Sequence, residues 1–327
     1  RKNGEVLDEL HGEKILIAVG GRAKRPNIEG ASLGWVSDDM FLLKRFPRKI
    51  TIVGAGYIAC EFACILQGLG VEVTHIVRGE RILKGFDLEL SLALTEAMKN
   101  KGIKLIFGDN VSSIKGEKDS LIINTILGDN FDSNGLLFAT GREPFLEGLR
   151  LELAGVQNKE NKIKVDQENK TNVSNIFAIG DVTNRVNLTP VAIDEGRAFA
   201  DKLYGNVNRN VNYNLIPCAV FSQPEIASVG INEEQAIHSF GKNNIKVYKS
   251  IFRPLSKSIP KRGAKCILKL IVSKNNDKVL GCHMLGENAS EIIQMASISI
   301  MLGAKKIDFD NTMALHPTIA EEFVTMR

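Results

Sequence analysis

Residues 315–327, LHPTIAEEFVTMR, place a histidine close to paired glutamates. A histidine titrates near neutral pH and can exchange a proton with a substrate, and a nearby carboxylate can orient its ring. His316 and Glu321 therefore form a candidate acid–base pair. A structural interpretation is also open, because Pro317 suits the first turn of a helix and Thr318-x-x-Glu321 has capping-box spacing. The two interpretations are compatible, since one carboxylate can close the turn and also face the imidazole.

A second candidate site is the glycine turn in IVGAGYIACEFA, which fits G-x-G-x-x-G/A. Gly54 permits the tight turn, Gly56 lets the backbone approach a pyrophosphate, and Ala59 permits close packing of helix on strand. The position between a strand and a helix favours this interpretation over a glycine turn without a ligand. The stretch therefore predicts a dinucleotide-binding site.

The choice of nucleotide is expected about 20 residues further on, where NAD-binding proteins carry an acid for the ribose hydroxyls. Here the sequence reads HIVRGERILKGFD, with Val77 and Arg78 where that acid would stand. Arg78 and Lys84, with Arg81 as a third candidate, supply positive charge suited to a 2′-phosphate. The alternative is a set of solvated loop charges. The missing acid together with the cations favours NADP, so we expect NADPH.

The elements that position these residues follow from the apolar pattern. From Lys49 onward, strands and helices alternate as KITIV, YIACEFACILQGLG, VEVTHIV, DLELSLALTEAMKNKG and IKLIF, which predicts a βαβαβ unit closing at LLFATGR, residues 136–142. Three segments, ILIAVGG, LLFATGR and IFAIGD, each run a buried strand into a glycine. Ligands bind at such strand ends in open α/β sheets. After IFAIGD, Thr189 is expected to cap a helix that has Pro190 in its first turn, and SDDMFLLKRF predicts a short helix.

The composition limits the class of protein. The chain has 327 residues, of which 44% are hydrophobic and 24% charged, as in a globular protein of more than one domain. Its 42 basic and 38 acidic residues are scattered, so the net charge of +4 predicts no nucleic-acid surface. No apolar stretch is long enough to span a membrane. The remaining histidines lack partner spacing, and no metal site is predicted.

Taken together, these motifs resemble the pyridine nucleotide–disulfide oxidoreductases, over essentially the whole chain. The resemblance is carried by GAGYIACEFA, VRGERILKGFD, LLFATGREP, IFAIGDVTNRVNLTPVAIDEGR, AVFSQPEIASVG and HPTIAEEFVTMR. The pair IFAIGD and LTPVA is specific for the flavin site, and HPT-x-x-EE with VTMR favours the glutathione-reducing branch. The resemblance implies FAD, NADPH and a homodimer in which the terminal histidine serves the partner subunit's active site.

The resemblance also implies roles for individual residues. Tyr57 is similar to a tyrosine that gates the nicotinamide pocket, and Glu61 to an acid that pairs with a lysine beside the flavin. Arg78 and Lys84 match two cations at the 2′-phosphate, although Lys84 stands where an arginine is usual, which weakens bidentate contact. His316 and Glu321 match the catalytic acid–base pair. The remaining cofactor-binding positions are Gly141, Arg142, Gly180, Asp181, Leu188 and Thr189.

The resemblance implies an α/β fold with Rossmann-type nucleotide-binding domains, the FAD part incomplete and the NADPH part complete, plus a C-terminal α+β dimerisation domain. In that domain KCILKLIVS and VLGCHMLG read as strands and SEIIQMASISIML as a helix. The expected ranges are 1–22 for a remnant of the FAD-binding domain, 23–48 for a linker, 49–142 for the NADPH-binding domain, 143–213 for the returning FAD-binding segment and 214–327 for dimerisation.

The five cysteines do not supply the family's C-x-x-x-x-C redox pair or its FAD pyrophosphate loop, which we expect upstream of this chain. Cys60 and Cys64 are four residues apart on a predicted helix and are interpreted as packing residues. Cys218, Cys266 and Cys282 fall in predicted strands. An odd number of cysteines without C-x-x-C spacing predicts a reducing compartment, cytoplasmic or an organelle stroma or matrix. The chain lacks a starting methionine, so its true N-terminus is expected to be missing.

The expected function is NADPH-driven, FAD-dependent reduction of glutathione disulfide, an oxidoreductase activity of cellular redox homeostasis. Two alternatives remain. One is another flavin disulfide reductase of the trypanothione, mercuric or dihydrolipoamide type, although the last normally uses NAD. The other is an inactive NADPH-binding and dimerisation fragment, which the flavin absorbance of the purified chain would distinguish.

Overall fold

The structure is a computed structural model that describes residues 9–258 and 263–327. Its strands are β1 (Ile15–Ile17), β2 (Gly21–Ala23), β3 (Lys49–Val53), β4 (Glu72–Val77), β5 (Lys104–Phe107), β6 (Val111–Glu117), β7 (Ser120–Thr125), β8 (Asn130–Ser133), β9 (Leu136–Phe138), β10 (Arg142–Pro144), β11 (Asn158–Lys159), β12 (Lys162–Ile163), β13 (Ile176–Ala178), β14 (Cys218–Val220), β15 (Glu225–Gly230), β16 (Ile245–Phe252), β17 (Cys266–Ser273) and β18 (Val279–Gly286). The α-helices are α1 (Ser37–Met40), α2 (Tyr57–Gly68), α3 (Leu88–Asn100), α4 (Thr189–Tyr204), α5 (Glu233–Phe240), α6 (Leu255–Ser258), α7 (Ala289–Met301), α8 (Lys306–Asn311) and α9 (Glu322–Thr325).

The described chain divides into two compact units. Unit 1 contains the described residues up to Ala23 together with Arg142–Asn212, and unit 2 contains Lys24–Gly141 together with Tyr213–Arg327. Unit 1 therefore joins two segments that the sequence assigned to one interrupted domain. The expected separation of 49–142 from 214–327 stays a prediction, because both ranges, apart from Arg142, fall within unit 2.

The predicted βαβαβ unit is confirmed in unit 2. Four parallel strands lie in the order β5-β4-β3-β9, with β3 central and paired in register with β4 and β9. Helix α2 packs on this sheet through a buried face that includes Ala59, Cys60 and Cys64. Asp87 caps α3, and Gly102, at φ 93°, follows its end as predicted. The carboxyl ends of β3, β4 and β9 lie at one sheet edge, where the glycine turn and the cations begin.

Two further sheets complete unit 2. The antiparallel strands β6-β7-β8 were not predicted, because their segment SSIKGEKDSLIINTILGDNFD shows weak alternation between charged turns. The C-terminal region forms an antiparallel sheet in the order β14-β15-β18-β17-β16, with α7 packed against β15 and β18. This is the predicted α+β domain, and the α/β fold class as a whole is confirmed.

Three local predictions are corrected. The expected buried strand at 13–21 is only β1, and Ile15 and Leu16 are 46% and 39% exposed, because β1 pairs only with β13 in the described residues. The helix expected over SDDMFLLKRF is the single turn α1, since Phe41 and Leu42 lie exposed with no core to cover them. Thr189 is not an N-cap: Leu188 is the extended capping residue, so Thr189 is already helical and Pro190 follows in the first turn.

Candidate active site and nucleotide-binding loops

The predicted acid–base pair is brought together near the C-terminus. Both carboxylate oxygens of Glu321 lie 3.1 Å from Nδ1 of His316. Glu321 also closes a reciprocal turn with Thr318, because its Oε1 accepts the Thr318 amide at 3.3 Å and its own amide donates to Thr318 Oγ1 at 3.1 Å. The spacing thus predicted the two hydrogen bonds, but the capping residue of the helix is Glu321 and Pro317 lies before its first turn. The regular helix α9 begins one residue later, at Glu322. One carboxylate therefore fixes both the turn and the imidazole.

Exposure differs sharply across this pair. The side chain of Glu321 is 15% exposed, whereas that of His316 is 80% exposed. Because Nδ1 faces the carboxylate, Nε2 is the ring nitrogen left for a substrate, and it has no partner in the part of the chain that the structure describes. Two buried side chains, Phe323 and Met326, anchor the C-terminal segment in the core. A 2.7 Å hydrogen bond from the Ser250 hydroxyl to Glu322 anchors it further.

The glycine turn has the geometry that the motif predicts. Gly54 has φ 147°, and a Cβ at this position would collide with the Ala139 carbonyl of the neighbouring strand end. Gly56 is exposed at the start of α2, with open space where a Cβ would lie, so a pyrophosphate could approach the backbone there. Ala59 is fully buried between helix and sheet. The turn thus fits a dinucleotide.

Burial distinguishes the residues that follow β4. Val77 is fully buried, whereas Arg78 and Lys84 are exposed and have no side-chain partner among residues 9–258 and 263–327. Both are thus available to a phosphate. Arg81 is different, because its guanidinium pairs with Glu234 at 2.8 Å. Of the three cations that the sequence grouped together, Arg78 and Lys84 are therefore exposed, whereas Arg81 forms an ion pair within the protein.

A buried histidine that the sequence analysis left without a role supports the glycine turn. His75 on β4 is 0% exposed, and its Nε2 lies 2.6 Å from the carbonyl oxygen of Gly54. Burial lowers the pKa of His75 to about 4, so the ring is neutral and Nε2–H donates to that carbonyl. In the sequence, the feature that could have indicated this role is a polar residue, His75, at a core position of the strand VTHIV.

Glu61 and Tyr57 lie on α2, next to the glycine turn. Burial raises the pKa of Glu61, although its Oε1 accepts the Phe221 amide at 2.9 Å. It has no lysine partner within the described ranges, so the pairing expected from the resemblance stays a prediction. Tyr57 is the first residue of α2 and is 39% exposed.

The predicted cofactor-binding residues from Arg142 onward belong to unit 1. Arg142 donates to the Gly21 carbonyl at 2.6 Å, and its Nε lies 3.7 Å from Asp181. A Cβ on Gly21 would approach Asp181, so glycine there lets the carboxylate lie against the chain. This arrangement presents a half-buried carboxylate beside an arginine, which suits the sugar and phosphate part of a flavin nucleotide.

Three other predicted cofactor-binding positions, Gly180, Leu188 and Thr189, lie around a 3-10 turn and the start of α4. The Gly180 amide donates to the buried carboxylate of Glu195 at 2.6 Å, which fixes the turn that carries Asp181. Leu188 precedes α4, and Thr189 is exposed in its first turn without a side-chain cap. The positive end of the helix dipole therefore faces outward there. Gly141, the remaining predicted position, has φ 126° and is the last residue of the Lys24–Gly141 segment of unit 2.

None of the cysteines has the environment of a reactive thiol. Cys60, Cys64, Cys266 and Cys282 are buried and Cys218 is half-buried, and all five are unpaired. Burial raises the pKa of each thiol, to about 11 for Cys266. Thiolates are therefore scarce near neutral pH. The interpretation of Cys60 and Cys64 as packing residues is confirmed by their burial in the core against the β3–β4 sheet.

Within residues 9–258 and 263–327, no three His, Cys, Asp or Glu side chains are grouped so that they could bind a metal ion. Over the same ranges, no helix combines the length and apolar character needed to span a bilayer.

Comparison with known proteins gives consistent results. The family model described as pyridine nucleotide-disulphide oxidoreductase matches residues 2–196, and the model of the family's dimerisation domain matches residues 216–327. A glutathione reductase from Nostoc sp. is 44% identical over 96% of this chain and 72% of the relative. One from Burkholderia cepacia is 45% identical over 96% of this chain and 70% of the relative.

A solved structure agrees with these sequence relatives. The HOCl-induced flavoprotein disulfide reductase RclA from Escherichia coli superposes with a TM-score of 0.89 at 26% identity, over 97% of this chain and 73% of that one. The resemblance that the motifs indicated thus extends along nearly all of the chain.

Proposed function

Since the chain belongs to the pyridine nucleotide-disulphide oxidoreductase family, we propose that it binds NADPH and donates protons in a flavoprotein that reduces glutathione disulfide. The relatives named glutathione reductase, 44–45% identical over 96% of the chain, support the substrate. The observation that carries the proposal is the contact between His316 and Glu321 at 3.1 Å, with an exposed Nε2.

NADPH fits the residues around the glycine turn. Gly54 and Gly56 would accommodate the pyrophosphate at the start of α2, and Arg78 and Lys84 would face the 2′-phosphate. FAD fits Asp181, Arg142 and the first turn of α4 in unit 1. When bound, these cofactors supply the hydride and the electron pair that a disulfide reduction needs.

His316 supplies the proton. Its Nδ1–H donates to Glu321, and the carboxylate holds the ring so that Nε2 faces outward. When the S–S bond of glutathione disulfide breaks, the leaving sulfur takes the bonding electron pair and a protonated Nε2 gives it a proton. The product is glutathione as a thiol, and protonation keeps the thiolate from attacking the new disulfide.

The attacking dithiol has to come from elsewhere. The five cysteines of this chain are unpaired, and burial raises the pKa of each, so none is suited to attack a disulfide at neutral pH. We therefore assign the redox-active pair to residues outside these 327. Unpaired thiols also suit a reducing compartment, the cytoplasm or an organelle matrix or stroma.

The active form is proposed to be a homodimer. Five apolar side chains at the C-terminal end of unit 2 are 53–93% exposed: Met295, Ile298, Met301, Leu302 and Met313. They lie within the segment that matches the family's dimerisation domain. A partner subunit that covers these side chains would account for their exposure, and the exposed His316 would then serve the partner subunit's substrate.

The substrate assignment is tested by turnover. In the enzyme that contains this chain, the rate of NADPH oxidation should give a larger kcat/KM with glutathione disulfide than with trypanothione disulfide or lipoamide. A larger kcat/KM with either alternative would replace glutathione as the substrate, while the family assignment would stand. Failure of NADPH to support any of these reactions would overturn the proposal itself.

A further inference from the structure

The residues between β4 and α3, Arg78–Phe86, form a loop that we call the cation loop. Two of its cations, Arg78 and Lys84, are exposed and have no described partner. Arg81 lies between them, and its side chain is 17% exposed. Its Nη2 donates to Glu234 at 2.8 Å and to the carbonyl oxygen of Lys84 at 3.2 Å. Arg81 therefore binds the loop backbone rather than pointing into solvent.

The anchor for Arg81 is a rigid helix start. Glu234 lies in the first turn of α5, which begins with a reciprocal capping box between Asn232 and Gln235, at 2.9 and 3.0 Å. The side-chain amide of Asn232 also donates to the Gly85 carbonyl of the cation loop at 3.4 Å. The same helix start thus holds the loop at two points, one on each side of Lys84.

The loop is also fixed from the side of the glycine turn. The Leu83 amide donates to the Ala55 carbonyl at 2.7 Å, which links the two loops directly. Leu83 adopts φ 49°, an unfavourable conformation for leucine, while its side chain is only 4% exposed. Burial of that side chain sustains the strained backbone. Lys84 follows immediately, so its backbone is held between Leu83 and the Arg81 guanidinium.

We propose that Arg81 is a positioning residue for recognition of the 2′-phosphate, with Glu234 as its anchor. The proposal rests on the proposed use of NADPH. Arg81 does not bind the phosphate; it fixes the backbone from which Lys84 extends its ammonium group. Preorganised contacts of this kind raise affinity because less loop entropy is lost on binding.

The competing assignment makes the opposite prediction. If Arg81 were a third phosphate ligand, Glu234 would be an unfavourable negative neighbour, and removing its charge would strengthen phosphate binding. If Glu234 is the anchor, removing its charge releases Arg81 and weakens binding. The sign of the change in affinity for Glu234→Gln therefore separates the two.

The probe is adenosine 2′,5′-bisphosphate, with adenosine 5′-monophosphate as the matched nucleotide that lacks the 2′-phosphate. Titration calorimetry on the 327-residue chain should show about fivefold weaker binding of the bisphosphate to Glu234→Gln, the effect expected from loss of a partly exposed ion pair. Binding of the monophosphate should be unchanged. Arg81→Gln should give the same loss, and the double variant should be no weaker than either single variant, because the pair acts as one unit.

Glu80→Gln is the charge control. Glu80 is an exposed carboxylate on the same loop with no partner in the described structure, so its loss removes one negative charge without touching the Arg81 contact. This variant should bind the bisphosphate as well as the wild type or better. Tighter binding in Glu234→Gln, additive losses in the double variant, or equal losses for both nucleotides would overturn the positioning role. Equal binding of both nucleotides by the wild type would instead contradict the NADPH assignment.

Discussion

Both carboxylate oxygens of Glu321 lie 3.1 Å from Nδ1 of His316, and one of them also accepts the amide of Thr318. A turn that is closed by the same group that orients the imidazole ties the local fold to the chemistry. A variant at Glu321 can therefore affect both the closed turn and the orientation of the imidazole. Only a measurement that responds to one of these two roles distinguishes them.

The first prediction concerns the imidazole. In the enzyme that contains this chain, His316→Gln should slow disulfide reduction by roughly 10²–10⁴-fold, the usual span for a lost general acid. Reduction of the flavin by NADPH should be largely spared, because that half-reaction needs no proton from this residue. Stopped-flow measurement of the two half-reactions provides the check.

Glu321→Gln is the matched variant. It keeps a group able to accept from Thr318 and from Nδ1 but removes the charge, so we expect a smaller defect in the same half-reaction. If both variants lower the thermal midpoint and leave the two half-reactions equally fast, the segment is only a capped turn.

The second prediction concerns the exposed guanidinium of Arg78. Charge-assisted hydrogen bonds contribute about 1.5–3 kcal/mol, so Arg78→Ala should lose that much affinity for NADPH and almost none for NADH. The measurement is a titration of each nucleotide. Lys118→Ala, which removes an exposed cation from the turn between β6 and β7, should leave both affinities unchanged. If Arg78→Ala lost the same affinity for NADPH and for NADH, the assignment of Arg78 to the 2′-phosphate would be wrong.

The third prediction is a pH dependence of stability that originates in His75. Burial lowers its pKa to about 4, whereas the unfolded chain has the ordinary value near 6.5. The folded ring stays neutral while the unfolded ring takes up a proton, so its stabilising contribution is complete above pH 6.5 and is lost as pH falls toward 4. Linkage makes the loss about 1.4 kcal/mol per pH unit in this window.

The measurement is urea unfolding at pH 7.5 and pH 5 on the wild type and His75→Gln. The wild type should lose roughly 2 kcal/mol more than the variant between the two pH values. Burial lowers the pKa of His283 as well, so part of the slope should remain in the variant. Identical slopes in the two proteins would show that His75 titrates normally in the folded state.

The fourth prediction concerns the buried ammonium of Lys269 on β17. Lys269 is 2% exposed, and Nζ lies 3.0 Å from both oxygens of Asp87 and 2.5 Å from Glu233. Burial alone would lower its pKa, but the hydrogen bond with Glu233 and the charge of Asp87 outweigh burial and raise the pKa. Lys269→Met leaves the carboxylate of Asp87 buried without its cation, which should cost about 3–5 kcal/mol of unfolding free energy.

The control for Lys269 lies directly across the sheet. Lys249 on β16 is its register partner and pairs with Glu89 at 2.7 Å, with the two side chains 40% and 36% exposed. Lys249→Met should cost less than about 1 kcal/mol, as solvent-exposed ion pairs do. Chemical denaturation of both variants gives the comparison, and equal costs would mean that the ion pair between Lys269 and Asp87 is solvated.

Sequence reasoning succeeded where neighbours in sequence determine the structure. Gly54, Gly56 and Ala59 occupy fixed positions in one strand–turn–helix unit, and Thr318 and Glu321 are three residues apart, so spacing alone predicted their geometry. Thr189 shows the limit of this approach, because Leu188 and Thr189 differ as capping residues by one position, and the extended backbone of Leu188 decided between them.

The contacts that could not be predicted join residues far apart in sequence. Arg81 and Glu234 are separated by 153 positions, and the sequence around each residue is typical of an ordinary surface charge. Lys269 sits in a fully buried strand, CILKLIVS, where a charge is informative only once its partner is known. The pattern predicted the strand but indicated neither the burial of Lys269 nor its carboxylate partners.

The separation of Asp87 from Lys269 has a consequence for biosynthesis. The two are 182 residues apart, so a ribosome adding 5–20 residues per second needs roughly 10–40 s to reach the lysine after it has made the aspartate. Throughout that time Asp87 can cap α3 but has no cation to accompany its carboxylate into the interior. The carboxylate of Asp87 therefore stays hydrated in the nascent chain, and unit 2 can close around it only after Lys269 has been translated.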